Sequence, residues 1–129
     1  ITWSSDRYLE SGVTASVDAW VTPGMAEAYI AADKSGALRI NMDLYMLAQP
    51  TEWRGNVEYF GQIRKAVNAL GPNSKLACKT IKIIGDGALS AETRLNTQIN
   101  ARISQGTPWT VTVSIFQGAI NKAISLGLQ

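Results

Sequence analysis

Seven side chains could act together if residues 13–47 fold as a three-stranded meander: Asp18, Trp20, Glu27, Tyr29, Asn41, Asp43 and Tyr45. In that arrangement they share one sheet face. The rings would stack on sugar or base faces while the carboxylates and the amide accept or donate hydrogen bonds. Residues directly opposite on a sheet have Cβ atoms about 4.5–5.5 Å apart. A Glu27–Asp43 row would therefore reach the short separation of a retaining glycoside-hydrolase pair. Any acidic row passes that test, so its specificity is poor. Three acids could also hold calcium, but no loop with alternating Asp/Asn spacing accompanies them. Two plainer readings compete. The face is simply solvated, its aromatics supplying strand propensity and cross-strand packing, or it is buried against a sister subunit, as aromatic anchors favour.

Other chemistry is thinly supported. The chain has no histidine, which removes the commonest general base and the commonest zinc ligand together. Its one cysteine, Cys78, precludes an intramolecular disulfide and reads as a buried apolar thiol with no base to activate it. Gly85-Asp86-Gly87 stands where a phosphate cradle would, between a strand and a helix. It lacks a third glycine, and Asp86 would repel phosphate, so a tight turn is the simpler assignment. Lys75, Lys79, Lys82, Arg64 and Lys65 could form a basic patch, but no aromatic residues interleave with them. A net charge of +2 argues for neither nucleic acid nor an anionic membrane. Acids among the rings further disfavour single-stranded nucleic acid on a sheet platform. No catalytic residue, metal ligand or cofactor site is expected.

The elements that would position the seven follow from two turns. A three-residue loop Lys34-Ser35-Gly36, with Gly36 left-handed, pairs Ile30 with Ile40, Ala28 with Met42 and Ala26 with Leu44. A two-residue turn at Pro23-Gly24 pairs Val21 with Ala26, Ala19 with Ala28 and Val17 with Ile30. Every such pair is apolar on one face. The opposite face then carries the rows Trp20–Glu27–Asp43 and Asp18–Tyr29–Asn41. Glu27 and Asp43 repel there by roughly 0.2–1 kcal/mol.

Beyond the meander, residues 3–12 suggest a short helix capped by Ser4 or Ser5 and closed by Gly12. Residues 52–70 show the clearest helical stripe, with Trp53, Val57, Phe60, Ile63, Val67 and Leu70, opened by Thr51 and stopped by Gly71-Pro72. Residues 76–85 read as an interior strand. A helix over 91–105 starts at Ser90 with Leu95, Ile99 and Ile103 in one stripe. A strand follows from Pro108 through Ile115, and a helix from Ala119 to Leu126 ends at Gly127.

These 129 residues bound a single domain, 1–129, with 46% hydrophobic and only 17% charged residues, below the usual ~25%. The fold expected is α+β: a two-layer sandwich whose mixed sheet starts with the antiparallel meander and continues α-β-α-β-α. No apolar run approaches the ~20 residues of a membrane span. An initial Ile rather than Met hints at a removed leader or preceding segment. The function expected is a non-enzymatic binding or assembly module, a homo-oligomer or a subunit of an extracytoplasmic or virion-type structure. The alternative is a small-molecule or carbohydrate-binding protein, perhaps a hydrolase, using the acidic–aromatic face.

Overall fold

Residues 23–34 are a helix, and that changes the architecture. The computed structural model describes residues 1–48, 53–83 and 113–129. Its elements run α1 (Thr2–Glu10), β1 (Ala15–Val21), α2 (Pro23–Lys34), β2 (Asn41–Ala48), α3 (Trp53–Asn68), β3 (Leu76–Ile83) and α4 (Val113–Ser125). The strands form one sheet in the order β1-β2-β3, and both pairings are parallel. The antiparallel meander is therefore wrong. The middle of its three strands is α2, the crossover of a β-α-β unit.

The local chemistry explains why. Pro23 occupies the first helical position after an extended Thr22, where its missing N–H costs nothing. Met25 to Ala32 are mostly strong helix formers. Gly36 is left-handed, at φ +74°, as a hairpin would also require. Here it ends a helix: Ala37 N–H donates to Ala32 C=O at 2.8 Å and Gly36 N–H to Asp33 C=O at 3.0 Å, the paired bonds of a Schellman cap.

The apolar side of β2 is as expected. Ile40, Met42, Leu44 and Met46 are buried, and the alternate residues Asn41, Asp43 and Tyr45 are not. The facing of β1 is the reverse of the expectation. Directly paired residues of parallel strands share a face, and the register sets Ser16 beside Met42 and Asp18 beside Leu44. Val17, expected inside, falls with Asp43 on the other face and is 49% exposed. A register irregularity between Asp18 and Val21 then returns Val21 to the core beside Met46.

The helix over 52–70 holds as α3, Trp53–Asn68. Its residues Val57, Phe60, Ile63 and Val67 are buried at the expected helical spacing. α3 contacts α2, β2, β3 and α4, and α2 also reaches β3, so both crossover helices lie on one face of the sheet. The strand order steps in one direction. Among the described strands there is no reversal of the kind that forms the ligand crevice of a doubly wound sheet.

α1 begins at Thr2, with Ile1 rather than Ser4 or Ser5 in the capping position, and ends before Gly12 as expected. Among the described strands β3 stands at one end of the sheet order, so the interior position expected for it is not seen there. The strand expected through Ile115 is overturned from Val113 onward, because α4 starts there; its end before Gly127 agrees. Arg64 reaches across from α3, Nη1 donating at 2.7 Å to Leu126 C=O, one of the carbonyls that a helix end leaves unpaired. The helix over 91–105, the Gly85-Asp86-Gly87 turn, the Thr51 cap and residues 108–112 lie outside the described residues.

A polar latch joins α2 to the start of β3. Asp33 accepts from Ser74 Oγ at 2.8 Å and from Lys75 N–H at 3.0 Å, and Ser74 Oγ in turn accepts from Leu76 N–H at 3.1 Å.

Candidate functional site

The seven side chains do not share a face. Asp18 lies on the helix side, where its Oδ2 accepts from Tyr29 Oη at 2.9 Å and its Oδ1 from Trp20 N–H at 3.1 Å. Both oxygens are thus occupied in bracing β1 and α2. Tyr29 packs against the core, and its hydroxyl pKa is pushed up to about 12, first by burial and then by the Asp18 carboxylate that its proton serves. With Ser4, Ser5 and Tyr8 of α1, Asp18 and Tyr29 line a cleft of about 330 Å³ on that side.

Glu27 stands on α2 and accepts a hydrogen bond from Tyr59 of α3. That bond raises the Tyr59 hydroxyl pKa, because it is lost when the phenol ionises. Glu27 therefore opposes neither Asp43 nor Asp18. The expected like-charge row does not exist, and no Glu27–Asp43 pair is available for glycoside hydrolysis.

The remaining four belong to the side of the sheet away from α2 and α3. Asn41, Asp43 and Tyr45 alternate along β2 toward it. Trp20, the neighbour of inward Val21, points the same way and is 51% exposed. The register adds Val17 from β1 and Ala77, Thr80 and Lys82 from β3. Near the amino ends of the strands this face holds an open cleft of about 460 Å³, lined by Val17, Asn41, Asp43, Ser74, Lys75 and Ala77 among others. Toward the carboxyl end Leu47, on the same face, is only 2% exposed and stands apart from the main core cluster.

Asp43 is the one acid among the described residues of the cleft wall. Its Oδ1 is buried and has no hydrogen-bond partner among the described residues. Such an atom is uncommon in folded proteins. Ser74 and Val17 were not singled out as site residues from the sequence, and Lys75 only as part of a basic patch. A parallel register would have placed all three beside Asn41 and Asp43, and no local signal distinguishes that register from a hairpin.

Cys78 is buried and free. Its thiol pKa is pushed up to about 11, chiefly by burial and then by the Asp43 carboxylate, against a smaller opposing effect of Arg64. It stays a thiol at neutral pH and is a poor nucleophile. No group of three or more His, Cys, Asp or Glu side chains could hold a metal among the described residues. No described helix is long and apolar enough to cross a membrane. The chain matches no protein-family model, and neither the curated proteins nor the solved structures include a significant match to it.

Proposed function

We propose that the chain is a non-enzymatic binding or assembly module working through the face of its sheet that carries no described helix. One observation supports this most. Parallel sheets are ordinarily covered on both faces, whereas here α2 and α3 share one face and the other leaves Val17 and Trp20 about half exposed. Exposed apolar side chains grouped beside polar ones are the composition of an interaction surface. The partner favoured is a second copy, or another protein subunit, seated on Val17, Trp20 and Tyr45.

Light scattering across a concentration series tests it. The wild type should form a defined oligomer, and Val17→Lys should shift it to monomer while the thermal melt stays within a few degrees. A wild type that is monomeric at every concentration sinks self-assembly.

The cleft favours a second reading, a small polar ligand such as a carbohydrate. Asp43 Oδ1, buried without a partner among the described residues, is a place where a ligand's donor would be welcome once the wall yields slightly. Monosaccharides titrated into labelled protein should shift the Asn41 and Ala77 amide signals, and Asp43→Asn should abolish the shifts. Equal shifts in the variant remove the reading.

A further inference from the structure

The outer edge of β3 already carries the first step of another parallel strand. Gln129 N–H donates to Lys79 C=O at 2.5 Å, and Ile81 N–H donates to Gln129 C=O at 2.8 Å. This pair of bonds, made by one residue to two positions flanking Thr80, is the parallel ladder pattern. Because strand residues alternate in direction, Lys79, Ile81 and Ile83 turn their backbone groups outward, and Thr80 and Lys82 turn theirs toward β2. Ile81 C=O and Ile83 N–H are the next outward groups. Neither has a partner among the described residues.

Beside this edge runs an apolar groove of about 300 Å³ between β3 and α4, walled by Ile81, Ile83, Ile120, Ile124 and Leu128. Ile124 is 66% exposed, although it sits one helical turn from Ile120 on the groove side. An edge whose next outward groups have no partner among the described residues, with an adjoining apolar groove, has both parts of strand-addition recognition: main-chain bonds for affinity and pockets for alternate side chains.

We propose that the β3 edge is a docking site for an extended polypeptide strand, parallel to β3 and apolar at alternate positions. The register is determined by Gln129. Since Gln129 lies level with Thr80, docked residues level with Ile81 and Ile83 point toward the helix side and into the groove. The residue level with Lys82 points to the opposite face beside Lys82, which is itself paired with Leu47. The sequence class is therefore apolar–polar–apolar, and a one-residue slip reverses it. The proposal extends the binding-module reading to a second surface, independent of Val17 and Trp20.

Short segments dock too weakly in trans to read cleanly, so the test tethers them, which supplies millimolar effective concentrations. Three full-length chains carry four residues after Gln129: Val-Thr-Val-Thr, Thr-Val-Thr-Val or Gly-Ser-Gly-Ser. Native-state hydrogen exchange at the Ile83 amide is compared with the unextended chain. Val-Thr-Val-Thr should slow exchange about tenfold or more, as expected when an edge amide gains a ladder bond, with little change for the other two. Adding Ile124→Asp at the groove wall should cancel the gain. Equal protection by all three extensions, none by any, or full protection that survives Ile124→Asp overturns the proposal. Oligomeric mass, which tests the face without a described helix, does not enter this measurement.

Discussion

Phe60→Ala should lower the unfolding free energy by about 3–5 kcal/mol, the range for deleting a large aromatic from a packed core. Phe60 is wholly buried on α3, in the cluster that also holds Val57, Ile63 and Val67. α3 is the element that touches both crossover partners of the sheet, α2 and β3, together with β2 and α4. A cavity under it is therefore felt by every layer, and close packing leaves little room to collapse. Tyr59→Phe is the internal control. It removes only the bond to Glu27 on the surface and should cost less than about 1 kcal/mol. Urea unfolding of the three proteins checks this. A Phe60→Ala loss near that of Tyr59→Phe would mean that α3 is not seated on the sheet as described.

Ile40→Ala should cost about 2–5 kcal/mol, while Arg39→Ala next to it should cost no more than about 1. Ile40 is 1% exposed. Arg39 turns outward to Asp6 of α1, with Nη1–Oδ1 at 3.1 Å and both side chains substantially exposed. Screened by water and salt, that ion pair contributes little. Equal losses at the two neighbours would refute the assigned facing at the entry to β2. Of the expected meander, the facing of Ile40, Met42 and Leu44 is retained, and this pair of variants tests it directly.

How legible the molecule is depends on the segment. α3 could be read outright, because Val57, Phe60, Ile63 and Val67 repeat at a helical period over several turns and no strand satisfies them. Residues 26–32 could not be read from alternation. Ala26, Ala28, Ile30 and Ala32 satisfy a period of two, but alanine is small enough to sit on almost any face and carries little facing information. The discriminating signals were Pro23 after Thr22 and a run of good helix formers, which favour a helix start. Gly36 was correctly expected to be left-handed, but that conformation closes both a bulged hairpin and a Schellman cap.

The shared face of the seven candidate residues was lost with the register. Glu27 and Tyr29 were assigned to the face of Asp43 by strand alternation. Once they lie on α2 they leave it, Tyr29 for Asp18 and Glu27 for Tyr59. Asn41, Asp43, Tyr45 and Trp20 remain together only because β2 keeps its own alternation and the β1 irregularity turns Trp20 outward.

What these residues determine by themselves is local: the helical stripe of α3, the alternation within β2, the helix stops at Gly12 and Gly127, the left-handed Gly36, and the absence of histidine chemistry. The tertiary structure alone decided that β1, β2 and β3 run parallel, that Val17 faces out while Asp18 faces in, and that Asp43 rather than Glu27 lines the open cleft. The physical reason is that pairing direction and register are long-range properties. They depend on where a twelve-residue crossover helix sets the next strand down, and no period within a single strand records that.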